Sequence, residues 1–319
     1  MRLHTLLPLC LLAVPAGIQA ADFSLAPDRT RYLSDPSYMQ AKGELSGNTS
    51  FGYTDDTSEH YLSDGTLSPK DKTNGWQGTQ ALQYGVTNRF RIALSETYKT
   101  QDQTDTYPSV SNSFHASGFD NPVLSARLRA IPQIKAPLYL DFGASYSPDL
   151  FESKVASTSS DGTTASGEQW GLGAIHLGRE MKSWTTQLTY AATYHGQGSS
   201  KLSNGNNRTH AAYWNNALTW DNQVRFSDRI FLNLGAGIDQ NSSHQRNQTG
   251  DNPFTASYGL GTNYYLSPGY VIIPQRLTLN ADFSLSQNGD QTDTYPDTVA
   301  TWKNQQTLYF GLHLRYKLF

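Results

Sequence analysis

The chain has almost no thiol chemistry at its disposal. Its single cysteine, Cys10, lies in the opening residues MRLHTLLPLCLLAVPAGIQA. These have the layout of a secretory signal peptide. Arg2 supplies a positive start, Leu6 to Val14 an apolar core too short to span a bilayer, and Ala20 a small residue before the cut. Cys10 reads as an ordinary residue of that core and not as a lipoprotein anchor. Loss of residues 1–20 would remove the only cysteine and take the formal charge from −3 to −4. That excludes disulfides from the mature chain and gives no basic surface for nucleic acid. Long apolar runs are also missing: no stretch of eighteen residues follows the leader, as a spanning helix would need. With a mean hydropathy of −0.55 and 16% charged residues, a bundle of transmembrane helices is excluded. HExxH, paired-cysteine and EF-hand spacings are absent, so the sequence signals no cofactor and no structural metal.

What the chain does have is aromatics, with 19 Tyr and 6 Trp, and strict period-two alternation. Leu277, Leu279, Ala281, Phe283 and Leu285 share one face, while Thr278, Asn280, Asp282 and Ser284 share the other. Twelve such segments begin near Glu44, Trp76, Arg89, Pro122, Pro137, Glu168, Trp184, Tyr213, Arg229, Pro253, Gln275 and Gln305. Two residues break the pattern: Glu96 falls on the apolar face of the third segment, and Phe231 on the polar face of the ninth. Links alternate in length. The short ones are Thr87-Asn88, Pro132 to Ala136, Glu180 to Ser183, Ser227-Asp228 and the region of Pro268. The long ones, such as ESKVASTSSDGTTASGE, are rich in Ser, Thr, Asn and Gly.

This rhythm predicts an all-β fold, a transmembrane antiparallel up-and-down β-barrel of 12 strands with short periplasmic turns and long extracellular loops. A soluble sandwich would alternate too, but would have no reason to gather its long loops at one end. Apolar-face aromatics fall near both ends, as a membrane girdle requires. Trp184, Phe226, Phe90 and Tyr316 lie toward the short turns; Tyr53, Trp76, Tyr98, Tyr146, Trp214 and Phe254 lie toward the long loops. The predicted organisation is a signal peptide over 1–20, an N-terminal periplasmic or plug segment over 21–43, and a barrel over 44–319. The bacterial outer membrane is the expected location, with outer-membrane lipid and lipopolysaccharide as surroundings.

The chain ends in YFGLHLRYKLF. Tyr309, Gly311, Leu314 and Tyr316 resemble the C-terminal signal read by the outer-membrane assembly machinery, although Phe319 falls out of phase. The stretch SGFDNPVLSARLRAIPQIKAPLYLDFGASYSP, of roughly thirty residues, resembles a segment of the outer-membrane proteins annotated with the meta-pathway of phenol degradation. Phe119-Asp120-Asn121 departs from the family's usual Leu-Gly-Asp. The resemblance implies a small barrel that moves hydrophobic solutes.

Residues opposite the lipid face define any channel. Arg91, Arg127, Arg129, Arg225, Arg229, Arg276, Arg315 and Lys317 fall toward the short turns, and Asp141, Asp221, Asp239 and Asp282 higher. A basic ring would select anions or aromatic carboxylates; equally, these arginines would pair with the acids inside a filled lumen. A channel for small solutes is therefore the first expectation. A lipid-modifying hydrolase, with His115 beside Ser117 or His195 beside Ser199, is the second, and a structural or adhesive barrel acting through its loops the third. The heptapeptide DQTDTYP occurs twice, at 102–108 and 290–296. Both copies are placed in long loops on one rim, where Asp102, Asp105, Asp290 and Asp293 would be able to hold a cation such as Ca²⁺.

Overall fold

The computed structural model describes residues 32–107, 109–133, 136–247 and 253–319; the leader-like segment lies outside them. In chain order the strands are β1 (Leu45–Tyr61), β2 (Leu67–Thr87), β3 (Phe90–Thr106), β4 (Ser111–Phe119), β5 (Val123–Ile131), β6 (Tyr139–Ser147), β7 (Trp170–Glu180), β8 (Trp184–His195) and β9 (Gly198–Lys201). They continue with β10 (Asn207–His210), β11 (Tyr213–Arg225), β12 (Ile230–Asn241), β13 (His244–Asn247), β14 (Pro253–Tyr258), β15 (Gly261–Ile273), β16 (Leu277–Gln287), β17 (Gln291–Thr294) and β18 (Val299–Lys317).

Twelve of these close a ring of antiparallel neighbours in the order β1, β2, β3, β5, β6, β7, β8, β11, β12, β15, β16, β18, and β18 pairs back onto β1. Closure leaves no unpaired edge, which a hydrocarbon environment demands. The alternation sets which face looks where. On β18, Leu308, Phe310 and Leu312 are exposed at 55%, 45% and 47%, while Gly311 between them is buried. On β16, Thr278 and Asn280 are buried at 1% each and Phe283 is 47% exposed. The wall thus turns its apolar residues outward and its polar residues inward, inverting the plan of a water-soluble protein. Outer rings pair across the strands at one height: Tyr53 with Trp76 at 4.9 Å, Tyr98 with Phe119 at 5.1 Å and Tyr194 with Trp214 at 5.2 Å. They form the aromatic belt at the long-loop end.

Above this belt the wall continues. β2 runs for 21 residues, where a bilayer needs about ten. Between the described strands β3 and β18, the short strands β4, β9, β10, β13, β14 and β17 extend the ring upward. The 148–169 connection bridges β4 to β9 through parallel contacts, Ala116 with Gly162 and Lys154 with Lys201.

Several expectations need correction. Much of what reads as loop is paired strand, because segments rich in Ser, Thr and Asn with two polar faces carry no apolar alternation. Both copies of the repeated heptapeptide fall in such segments: Asp102 to Thr106 lies in β3, and Gln291 to Thr294 is β17. Pro268 is not in a turn. It sits within β15 opposite Leu232, and pairing with β16 is interrupted at Ser267-Pro268, where a residue without an N–H is tolerated. The turn is instead at 274–276, with Gln275 at φ 58°. Phe254 does not belong to the belt, being 3% exposed and stacked on Tyr295 at 4.7 Å. Glu96 does lie outward, in register with Gln80, whose side chain bonds Thr49 and Tyr316. A polar row therefore crosses the outer face of β1, β2 and β3.

Candidate functional site

The N-terminal segment occupies the short-turn end of the barrel interior. Tyr32 packs its ring 5.2 Å from Phe231, and Phe231 lies over Gly269, where any side chain would collide with it. Phe231 breaks the alternation because it faces inward to form, with Tyr32 and Val271, a small apolar core inside the barrel. The guanidinium of Arg225 stacks over the other part of this group, 4.1 Å from the centre of the Tyr32 ring, and pairs with Asp35 at 2.9 Å. Asp35 also accepts from Thr185 and from the backbone N–H of Ser37. Directly after Asp35, the carbonyls of Pro36 and Ser37 accept from Arg127 and Arg129. Gln40 donates to Ser46 and Gln83. Thr185, Arg127, Arg129, Arg225, Ser46 and Gln83 thus meet the segment from five wall strands, while Tyr32 also donates to the Ser227 carbonyl at a turn.

Beside this segment, Arg127 and Arg129 converge on Asp141. Arg129 reaches both carboxylate oxygens, at 2.8 and 2.9 Å, and Arg127 donates to one at 2.8 Å. Asp141 is fully buried, and Arg127 and Arg129 are 8% and 6% exposed. Such bidentate charge-assisted bonds are short and directional, so the trio is a fixed part of the wall. Arg229 and Arg276 are placed differently from expectation. Both lie exposed at turns, and Arg229 donates to the outward Tyr270. Near the end of a strand, alternation no longer specifies the face. Lys317 pairs with Glu44 at 3.0 Å at the same rim.

Next to the N-terminal segment is a cavity of about 370 Å³. It is lined by Ser34, Asp35, Tyr38 and Gln40 of the segment and by Arg91, Arg127, Gln187, Asp221, Tyr265, Asp282 and Arg315 of the wall. The acids here are already engaged. Asp221 accepts from Tyr265 at 2.9 Å, and Asp282 from Ser267 and from His313 at 2.9 Å. Arg91 binds only the neutral amide oxygens of Gln40 and Gln83, at 3.2 and 2.9 Å. Neither Arg91 nor Arg315 forms an ion pair among the described residues. Two cations therefore face the cavity without a carboxylate of their own. The sequence pattern names both arginines as inward residues; it gives no sign that Asp141 is claimed by Arg127 and Arg129 while these two are left over.

The other candidates are not assembled into sites. No group of three or more His, Cys, Asp or Glu side chains able to hold a metal occurs among the described residues. Asp102 is instead bonded to His115 at 2.8 Å, and Asp293 to Gln291 and Trp302. His115 and His195 each meet a carboxylate, Asp102 and Glu168, and among the described residues no serine hydroxyl is bonded to either.

Asp105 has a different role. It stands directly opposite Asp71 in the β2–β3 pair. Burial, together with the charge of Asp105, pushes the Asp71 carboxyl up to about 7. An acid whose folded value is raised holds its proton in the folded state while the unfolded chain has released it. Stability should then fall as pH rises from about 4 to about 7 and level off above. Hydrogen-exchange protection of the upper ends of β2 and β3 should decline several-fold across that window. Asp71→Asn should abolish the decline; an unchanged pH profile in the variant would remove the carboxyl pair as its cause.

No family model and no curated protein sequence matches the chain. Among solved structures it superposes on an outer-membrane channel from Pseudomonas putida F1 with a TM-score of 0.59 at 13% identity, covering 89% of this chain and 99% of that one. It also superposes on the transport unit of the autotransporter AIDA-I from Escherichia coli, with a TM-score of 0.50 at 10% identity, over 89% and 93% of the two chains. The chain has the fold of an outer-membrane β-barrel. Identities this low carry the fold and nothing of the cargo. The stretch that resembles the phenol-pathway proteins runs from β4 through the break before β5 and into β6. Gly118 at φ 150° and the buried Asn121, whose side-chain oxygen accepts from the N–H groups of Leu150 and Phe151, shape that break.

Proposed function

We propose that the barrel is a narrow channel for small anions, with the carboxylates of aromatic acids as the solute class. Residues 32–43 narrow it at the periplasmic end. The observation that carries this reading is the pair of arginines, Arg91 and Arg315, facing a 370 Å³ cavity without ion-pair partners. A buried cation without a counter-charge is costly, and an anion passing through would supply that charge in transit. The cavity is wide enough for a single small ring. The fold of an outer-membrane channel agrees with this reading. A hydrolase is disfavoured, since the histidines that invite it have no nucleophile beside them. The terminal strand, with Tyr309, Gly311, Leu314 and Tyr316 in β18, is read as the segment that engages the assembly machinery.

Planar-bilayer recordings across a salt gradient test this directly. The wild type should show a reversal potential favouring anions. Arg91→Gln with Arg315→Gln should cut the anion preference several-fold while leaving the folded, heat-modifiable band intact. A conducting barrel whose selectivity is indifferent to both substitutions would refute the assignment.

A further inference from the structure

Above the aromatic belt, the inner face of the extension gathers charge of one sign. Arg208 and His210 are two apart on β10 and so share a face. Arg246 of β13 is in register with His210. The ring of His210 is held between two acceptors. Its Nε2 is 3.1 Å from Glu168 Oε2, and its Nδ1 is 3.1 Å from the carbonyl oxygen of Ala211. Neither oxygen has a proton to give, and a neutral imidazole donates from one nitrogen only. This arrangement favours the imidazolium form of His210. Its acidity agrees: the bond to Glu168 raises its value, against the opposing effect of burial.

Glu168 is the counter-charge in this group, and it is shared. It also accepts from His195 Nδ1 at 2.8 Å. Burial works against its charge, but the two imidazoles prevail and hold it down at about 2. Arg208 and Arg246 form no ion pair among the described residues, and the Nε of Arg208 is buried with no hydrogen-bond partner. Burial and the nearby Arg246 both lower the value of Arg208. Like charges placed opposite each other on paired strands destabilise them. Here three basic side chains gather about Glu168, while Asp293, the next carboxylate on that face, is already bonded by Gln291 and Trp302.

A rigid wall holds these cations in place. Tyr213 is sandwiched between His195 at 4.4 Å and His244 at 4.2 Å, and His244 stacks on Tyr258 at 5.4 Å. His244 donates from Nδ1 to the Ser242 carbonyl, and burial keeps its value low, so it adds no charge. The stack ties β8, β11, β13 and β14 together beside Arg246.

We propose that Arg208, His210 and Arg246 form an entry site for an oxyanion, a small carboxylate or phosphate, on the extracellular side of the channel. Guanidinium groups suit such oxygens because they present paired N–H donors. The site stands apart from the lumen cavity; its role in entry rests on the channel reading, whereas its binding of an oxyanion does not.

Titration calorimetry on the detergent-solubilised full chain, with inorganic phosphate and with benzoate as separate probes, tests it. Saturable binding is expected for at least one probe, and which of them binds tells phosphate from carboxylate. Arg208→Gln and Arg246→Gln should each weaken it tenfold or more. Measured in an Arg91→Gln background, where the lumen cation is gone, the dependence on Arg208 and Arg246 should persist, which separates this site from the lumen. Binding should also decline as pH rises and His210 gives up its own proton. Should the glutamine variants fail to show the heat-modifiable folded band, Arg208→Lys and Arg246→Lys keep the charge, lose the paired donors and should weaken binding several-fold. Absence of saturable binding, or binding in the Arg91→Gln background that Arg208→Gln and Arg246→Gln leave at full strength, would overturn the proposal.

Discussion

Removing residues 32–41 should raise the single-channel conductance several-fold and blunt the anion preference. The deleted stretch fills the short-turn end of the lumen and contributes Ser34, Asp35, Tyr38 and Gln40 to the cavity boundary. Without it, the path would be limited only by the wall. The deletion also strips acceptors from buried donors: Arg127 and Arg129 lose the carbonyls of Pro36 and Ser37, and Arg225 loses Asp35. Each buried group left unmatched costs about 1–3 kcal/mol, though a widened lumen admits water to repay part of it. A gentler probe is Tyr32→Ala with Asp35→Ala, which removes the two anchors and leaves the chain length unchanged. Flickering openings in that variant, and sustained ones in the deletion, are the expected recordings. Equal conductance in all three forms would mean that solute does not pass where this segment lies.

The second large effect concerns stability. Asp141→Asn should destabilise the barrel by about 3–5 kcal/mol, the usual consequence of breaking a buried ion pair on one side. The charges of Arg127 and Arg129 would remain, in a place where both are buried. Glu180, 3.6 Å from Arg129, offers partial compensation to one of them. Urea titration in lipid vesicles, followed by the heat-modifiable gel shift, reads the change. If all three residues are replaced together by apolar ones of similar size, most of the loss should return, because no charge is then stranded. A midpoint unmoved by Asp141→Asn would show that water reaches this trio freely.

The barrel was legible because each wall strand is in contact with two unlike solvents. Leu277 to Leu285 and Leu308 to Tyr316 betray it through simple alternation, and strand number follows from counting such runs. The extension strands β9, β10, β13 and β17 were not legible, since water or polar neighbours on both faces leave period two without contrast. Phe231 looked like an error of pattern until Tyr32, almost two hundred positions away, supplied its partner. The lumen arginines split by the same logic. Arg91, Arg127, Arg129 and Arg315 lie mid-strand, where the face is fixed, whereas Arg229 and Arg276 lie at turns, where it is free. Which arginine would hold which acid depends on neighbours in the ring, and alternation along one strand says nothing of those. The histidines and Glu168 of the extension come together from three separate hairpin regions, with no spacing in the chain to announce them.

The seam between β1 and β18 has a further consequence. Ser46 pairs with Lys317 and Tyr61 with Thr301, and the hydroxyl of Tyr316 is bonded by Gln80 across the joint. With Leu45 bonded to the carbonyl of Phe319, these partners join the described chain nearly end to end. Contacts so far apart in sequence form late, because the intervening chain must first be ordered. The circle cannot be completed by a chain still emerging, nor by one clipped before its final strand. Until then β1 presents a bare hydrogen-bonding margin some fifteen residues long, open to any other strand. Biogenesis of this protein is therefore a race between its own last strand and a stranger's.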